Sequence, residues 1–524
     1  MIAVQKDPVR ITGTAPDSQE RILTPQAKRF LLKLSTIFEP RRRQLLEVRR
    51  ARQERIDAGE LPGFLPGTAD IRRSYWKVAE APADLQDRRV EIIGPTTRKT
   101  IVNALNSGAN VFIADFEDSN SPTWQNMLDG QANLCDAVNG TITYSSAAGK
   151  RYELCEAPAV LMVRPRGWHL VEKHLLIDGE PISASLFDFG VFFFHNARAL
   201  LRNGTAPYFY LPKLESHHEA RLWNDVFVMA EANFGISRGS ARATAMIETL
   251  PAAFEMDEIL WELREHSAGL NCGRWGYIFS FIKNLRHQPG CVLPDRSQVT
   301  MNSHFLASFA DLLIATCHRR GAHAIGGTDA KIPIRNDAEA HTAAMAGARD
   351  DKLREVWAGH DGAWVTHPGM VPVAKFVFDT YMRHPNQLEW RSSSATTAED
   401  LLCSPCGTVT DAGLKRNLAV GLQYLAAWLG GNGCVPVDHL MEDASRAEIC
   451  RAQVWQWLRH GAVLEDGRRV SAALAGSLLD RSIEKLHGKL PDRHVLTAAK
   501  LYAEMIGSVD LPEFFSLRAY DCLD

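Results

Sequence analysis

The sequence predicts an α/β protein built on a (β/α)8 barrel (a TIM barrel), with helical segments before and after it. Three observations carry this. Between residue 90 and about residue 370, eight short apolar runs bounded by Gly, Pro and Asp alternate with longer amphipathic segments, the pattern of parallel strands joined by crossover helices. The eight units occupy roughly 280 residues, the size of one such barrel with insertions. At 524 residues the chain exceeds what a single core usually needs, so a barrel with appended units suits its length.

The elements follow in order. Residues 1–20 read as a polar, weakly ordered lead. Pro25 to about Asp57 has helical periodicity through Phe30, Leu31, Leu34 and Ile37, then Leu45, Leu46 and Val48, and Pro40 is expected to split it into two helices. The basic run Arg41, Arg42 and Arg43 with Arg49, Arg50 and Arg52 reads as a solvated helix face paired with Glu47 and Glu54. No aromatic platform is interleaved to stack nucleic-acid bases. The eight strand runs are Val90–Pro95, Val111–Asp118, Ala159–Arg166, Tyr208–Glu215, Ala243–Thr249, the stretch from Gly269 towards Ser280, Ala322–Gly327 and Ala363–Gly369. Helical patterns lie between most of them, such as Ser216–Phe234 and Ser303–Arg320. The second connection, about 124–158, is long enough to hold a small β-hairpin. After Pro368 the pattern is helical, with helices expected at Val371–Met382, Asp411–Trp428 and Met441–Leu458 and more between Val470 and Ile506. The units expected are 1–89, 90–385 and 386–524.

Composition narrows the function. With 45% hydrophobic and 23% charged residues and a net charge of −3, bulk electrostatics recommends neither nucleic acid nor an anionic membrane as partner. No apolar run approaches the ~20 residues that span a bilayer. Met1 to Pro8 lacks a charged-then-apolar signal pattern, Cys522 to Asp524 is not a Ser-Lys-Leu address, and the ten cysteines are scattered, most in apolar contexts. The expectation is a cytoplasmic protein with buried thiols, a monomer or small homo-oligomer. Cys403 and Cys406 have CxxC spacing without a second pair, and His217 and His218 read as solvated.

A barrel of this kind builds its site at the C-terminal ends of its strands. Those ends carry Asp115, Glu117 and Asp118 on the second strand, Arg164 and Arg166 on the third, Lys213 and Glu215 on the fourth, Glu248 on the fifth, and His367 and Pro368 on the eighth. Carboxylates from different strands suit Mg²⁺, and a nearby arginine suits a substrate carboxylate or a developing enolate. On the sixth strand Gly273, Arg274, Trp275 and Gly276 read as a tight turn whose backbone N–H groups face a small anion. Asp443 follows a Gly-rich loop at or near a helix start. It is either an acid stabilised by the helix dipole or a base carried into the barrel mouth.

In these residues the chain resembles the bacterial, A-type malate synthase family over nearly its whole length. The matching stretches are Asp87–Pro95, Ala114–Ser119, Ser185–Phe189, Phe209–Lys213, Ile247–Pro251, Gly269–Trp275, Leu293–Arg296, Asn432–Pro436 and Leu440–Ala444. The resemblance implies a barrel with an N-terminal helical clasp and a C-terminal helical plug. It implies condensation of acetyl-CoA with glyoxylate, followed by hydrolysis of the thioester to malate and CoA. It further implies Asp443 as the base taking a methyl proton, and Arg164 as the group stabilising the enolate and touching glyoxylate. Glu248 would be a Mg²⁺ ligand, and the backbone of Gly273 to Gly276 the holder of the glyoxylate carboxylate. Asp115, Glu117 and Asp118 would partner the metal through water, and Ser119 and Pro368 would lie near acetyl-CoA.

The chain departs from the family at one position of that turn. The family reads Gly-Arg-Trp-Asp-Tyr, its aspartate being the second Mg²⁺ carboxylate, and here the residue is Gly276. The family's Gly-Gly-Met-Ala-Ala is here Gly326-Gly-Thr-Asp-Ala330, which adds Asp329, followed by Lys331. A weakened Mg²⁺ site and reduced synthase activity are expected, unless Asp118 or Asp329 fills the gap. The alternatives are a paralogue with another substrate, a lyase acting on a malyl-CoA-type thioester, or a non-catalytic relative that binds CoA or glyoxylate.

Overall fold

The computed structural model describes residues 8–14, 17–328, 330–392 and 395–523. Eight parallel strands close into a barrel: β1 (Val90–Pro95), β2 (Val111–Asp115), β3 (Val160–Arg164), β4 (Tyr208–Leu211), β5 (Arg242–Ile247), β6 (Ser267–Cys272), β7 (Ala324–Gly326) and β8 (Gly362–Val365). Each pairs with its chain neighbour, and β8 closes on β1 with Ala363 opposite Val90. Four helices frame the site: α1 (Pro25–Asp57), α2 (Arg274–Asn284), α3 (Asp411–Leu429) and α4 (Ala444–His460).

Strand parity explains the barrel core. Val111, Ile113, Met162, Tyr208, Tyr210, Ile325 and Trp364 cluster inside the barrel. The alternate residues Phe112, Ala114, Phe209 and Leu211 belong to the larger core shared with the helices. The end opposite the site is closed by a buried polar knot. Arg88 Nε donates to Glu91 at 2.7 Å, Arg88 Nη2 donates to Tyr210 at 2.9 Å, and the Trp364 indole donates to Glu91 at 3.0 Å. In β6, Gly269 has φ +114°, and a Cβ there would sit 2.2 Å from the His323 carbonyl, so only glycine fits between β6 and β7.

Several expectations are corrected. Pro40 does not split the first helix, because α1 runs unbroken from Pro25 to Asp57. Its missing N–H is outweighed by burial of Phe30, Leu31, Leu34 and Phe38 against the barrel. The basic run is not wholly solvated, since Arg42 and Arg49 are buried anchors. Arg42 Nε donates to the Trp168 carbonyl at 2.6 Å. Arg49 grips both Glu219 oxygens at 2.6 Å and the Lys213 carbonyl at 2.7 Å. Arg52 pairs with Glu215. The N-terminal lead is ordered where Val9–Ile11 pairs antiparallel with Val171–Ile177, a strand that the periodicity did not reveal. The sixth strand stops at Cys272, and Tyr277 to Ser280 lie in α2. Met441 sits in a short strand, Leu440–Glu442, so α4 starts at Ala444. His217 is buried with its Nδ1 2.5 Å from Glu255, which makes it a structural partner; His218 is exposed. Four of the ten thiols (Cys155, Cys403, Cys406 and Cys522) are exposed. The connection after β2 does contain a two-stranded hairpin, Tyr144–Ser145 with Arg151–Tyr152, behind a helix at Trp124–Val138.

The C-terminal helices form their own core, with Leu414, Leu418, Leu422 and Leu425 of α3 against Trp457 of α4 and Tyr502. Helix α4 also packs on α2, which brings its first residues over the open end of the barrel.

Candidate active site

A cavity at the C-terminal ends of the strands is lined by Arg164 from β3, Met246 and Glu248 at the end of β5, and Asn271 from β6. Gly273 to Gly276 from the start of α2, Gly327 and Thr328 after β7, Trp364 from β8, and Asp118, Asp443 and Ser445 complete its wall. The structure thus brings together Arg164, Glu248, Asp443, Asp118 and the turn Gly273–Gly276. The lining residues absent from the expected set are Met246, Asn271, Thr328, Trp364, Ser445, Ile93 and Gly327. The first two and Trp364 point inward by strand parity, a signal present in the sequence; Ser445 and Thr328 had no local signal.

Asp443 is the N-cap of α4, its Oδ1 accepting the Arg446 N–H at 3.1 Å. It caps the helix and also lines the cavity. Burial, reinforced by the charge of Asp118, pushes its pKa up to about 7. Arg164 is buried, with Nε and Nη2 on the two oxygens of Asp115 at 2.7 and 2.6 Å, and Nη1 3.1 Å from Asp118. Burial works against its charge, but Asp115 and Asp118 outweigh it and hold the guanidinium well above its ordinary value. Glu248 is buried and its pKa is raised by that burial; its Oε1 accepts the Lys213 N–H at 2.8 Å.

Lys213 has φ +51°, a left-handed conformation rare for a side chain of its size. That twist at the end of β4 sends Nζ to Asp118 at 2.7 Å and Glu117 at 2.9 Å. Asp118 also accepts from Ser445 Oγ at 2.7 Å. Burial alone would raise the pKa of Asp118, but Lys213 and Arg164 bring it below the ordinary carboxylate value. Glu117, by contrast, is pushed up to about 7, chiefly by burial. It lines an adjoining chamber with Arg166, His169 and Lys213. Arg166 is locked on Asp188 by two 2.9 Å bonds, and Glu215 is turned away to Arg49, Arg52 and Lys283. Asp115 accepts from Arg164 and from the N–H of Glu117. Ser119 donates its N–H to Asp115 at 2.7 Å, and Pro368 opens a short turn after β8; neither lines the cavity.

The turn Gly273–Gly276 is the first turn of α2. The first N–H used within the helix is that of Tyr277, which bonds the Gly273 carbonyl at 3.0 Å. The N–H groups of Arg274, Trp275 and Gly276 have no intrahelical acceptor and bear the positive end of the dipole, a site for a carboxylate.

The donors for a metal are fewer. Among the described residues no group of three or more His, Cys, Asp or Glu is placed to hold an ion. Gly276 offers no side chain, and Glu248 has closed the gap: a Cβ at Gly276 would meet Glu248 Oε2 at 2.6 Å and its Cβ at 2.9 Å. Asp118 is bonded to Lys213, Ser445 and Arg164, and Asp329 lies outside the described residues. The described residues do not fit a full set of protein ligands for Mg²⁺.

Three family models match the chain: "Malate synthase, N-terminal domain" over 7–70, "Malate synthase, TIM barrel domain" over 160–404, and "Malate synthase, C-terminal" over 408–523. Among similar curated proteins, malate synthase of Myxococcus xanthus is 56% identical over 98% of this chain and 96% of its own. That of Dictyostelium discoideum is 49% identical over 98% and 96%. Glyoxysomal malate synthase of Brassica napus is 48% identical over 98% and 94%.

Proposed function

The chain belongs to the malate synthase family, and we propose that its reaction runs in the cavity where Asp443 and Arg164 face the first turn of α2. The enzyme is an acyltransferase that condenses acetyl-CoA with glyoxylate and releases malate and CoA. The observation that carries the residue assignment is the convergence of a buried carboxylate, a buried guanidinium and a helix N-terminus on one cavity.

The glyoxylate carboxylate lies against the N–H groups of Arg274, Trp275 and Gly276. Ionised Asp443 takes a proton from the acetyl methyl. The enolate oxygen that develops is stabilised by Arg164, which Asp115 holds rigidly in place. Aimed, pre-oriented charge of this kind is worth several kcal/mol, and a positioned base about 10²–10⁴-fold. The enolate carbon attacks the aldehyde carbon, forming the C–C bond as the C=O π bond opens, and the resulting alkoxide takes up a proton, balancing the one removed from the methyl, to become the malyl hydroxyl. Water then adds to the thioester carbonyl, the C–S bond breaks, and the CoA thiolate takes up a proton. Ser119 and Pro368 are proposed contacts of the larger acetyl-CoA outside the cavity. The chain is read as three units, 1–89, 90–385 and 386–524, acting in the cytoplasm, with the chemistry where the second meets the third.

Malate synthases use Mg²⁺. In this chain we propose a weakened site with Glu248 as its one protein carboxylate, Asp115, Glu117 and Asp118 being engaged by Arg164, Lys213, Ser445 and the Gly167 N–H. Losing even an indirect partner costs ~10–100-fold in metal affinity or activity, and losing a direct carboxylate at least as much. Calorimetric titration of Mg²⁺ into the chain and into Gly276→Asp tests this. Tighter binding by the variant, with faster CoA release at low Mg²⁺, is expected; equal affinity and equal activity would overturn it.

A further inference from the structure

We propose that Arg446 is a positioning residue for the condensation, its guanidinium stacked on Trp275 so as to fix the spacing between Asp443 and the carboxylate-binding turn. The inference rests on the roles given above to Asp443 and that turn.

Arg446 is the third residue of α4, and its backbone N–H is the one that Asp443 Oδ1 accepts. Its guanidinium carbon lies 4.5 Å from the centre of the Trp275 ring, and that of Arg274 lies 4.6 Å from the same ring. Two cations on one indole repel unless each has its own counter-charge. Arg274 has Asp351 at 3.2 Å. Arg446 has Glu442, at 3.0 Å from Nε and 3.3 Å from Nη2, and Glu442 is gripped in turn by Arg296 at 2.6 Å. The indole N–H donates to the Thr328 carbonyl at 2.9 Å, which holds the ring against the end of β7. A chain of contacts thus runs from the C-terminal helices across the cavity rim to the barrel.

Arg446 is 2% exposed, and its Nη1 has no hydrogen-bond partner among the described residues. Burying an incompletely bonded guanidinium is a poor way to gain stability, since an apolar residue of like volume serves as well. What the guanidinium adds is geometry. On the other side, Ser445 Oγ and the Ala444 N–H bond Asp118 at 2.7 and 3.1 Å, which ties the start of α4 to the loop after β2. The second tie, to α2, sets how far the base stands from the bound aldehyde. A misplacement of about 1 Å at such a distance costs on the order of 10²-fold in rate.

The test measures kcat and KM for both substrates in full-length Arg446→Gln, Arg446→Lys, Trp275→Leu and the Arg446→Gln/Trp275→Leu double variant, beside Asp443→Asn. Arg446→Gln is expected to lower kcat by about 10–100-fold with the acetyl-CoA KM changed less than about threefold. Arg446→Lys, which keeps the charge but loses the planar stack on the ring, should lower kcat by about three- to tenfold, and the double variant should be no worse than the poorer single one. An unchanged kcat in Arg446→Gln, or losses that multiply in the double variant, would overturn the proposal. If Arg446→Gln does not fold, Arg446→Lys decides alone: a kcat lowered about three- to tenfold supports the tie, and an unchanged kcat refutes it. If Asp443→Asn itself keeps full activity, the reading of the cavity has failed; if it is inactive while Arg446→Gln is normal, only the present inference has.

Discussion

A carboxylate that caps a helix is ordinarily kept ionised by the N–H groups it accepts and by the helix dipole. At Asp443 those contributions lose to burial and to the negative charge of Asp118, and the pKa stands at about 7. A base with that value near the working pH is well matched to proton abstraction. Two outcomes follow. The acid limb of kcat/KM should fall as pH drops through about 7, and Asp443→Asn should cost about 10²–10⁴-fold in CoA release, measured by thiol titration. Stability moves the other way. The folded pKa lies above the unfolded value, so the folded state favours the protonated acid. The contribution of this group is therefore fully present below pH ~4 and lost as pH rises to about 7. Asp443→Asn should raise the melting temperature more at pH 8 than at pH 5, and a gain equal at both would contradict the assignment. Gly276 is the other residue on which the account turns. Restoring an aspartate there forces Glu248 aside and sets two carboxylates together. Gly276→Asp without Mg²⁺ should lose about 1–3 kcal/mol of stability and regain it when Mg²⁺ is added. Scanning calorimetry with and without the ion reads both.

At the scale of elements, α1 acts as a brace. Arg49 reaches from it to Glu219 and to the carbonyl of Lys213, the residue whose strained backbone also presents its N–H to Glu248. Arg49→Met should leave Glu219 buried without its partner, cost about 3–5 kcal/mol, and loosen the end of β4, lowering kcat as well as the melting temperature. A variant that melts like the parent would show the clamp to be ornamental. The strands of the barrel were legible in the sequence because each is a short apolar run closed by Gly, Pro or Asp, and because their parity sorts inward from outward residues. The charged residues at their ends were legible for the same reason. What stayed hidden depends on contacts far apart in the chain. Pro40 is tolerated because a buried face outweighs one lost bond, and His217 is buried because Glu255, at the cap of another helix, waits beside it. Arg42 and Arg49 look like surface charge until Trp168, Lys213 and Glu219 are brought beside them. Local pattern cannot separate a solvated arginine from an anchoring one, nor Arg166, locked on Asp188, from Arg164, which lines the cavity.

At the scale of the whole molecule, the cavity draws its lining from two cores. The barrel supplies Arg164, Glu248 and the first turn of α2, and the C-terminal helices supply Asp443, so the site exists only where the two meet. Ligands that fill this junction bind the assembled state alone and should stabilise it by linkage. Glyoxylate and a non-reacting acetyl-CoA analogue together should raise the melting temperature by more than the sum of their separate shifts, and simple additivity would speak against a shared cavity. No helix among the described residues is long and apolar enough to cross a membrane. The central claim is that Asp443 removes the methyl proton while Arg164 stabilises the enolate, and it is tested most directly by following CoA release from acetyl-CoA and glyoxylate in the parent chain and in Asp443→Asn across pH 5–9. The account predicts a measurable parent rate whose acid limb falls through about pH 7, and a variant slower by about 10²-fold or more with that limb gone. A variant that releases CoA at the parent rate, with the same limb, would contradict it.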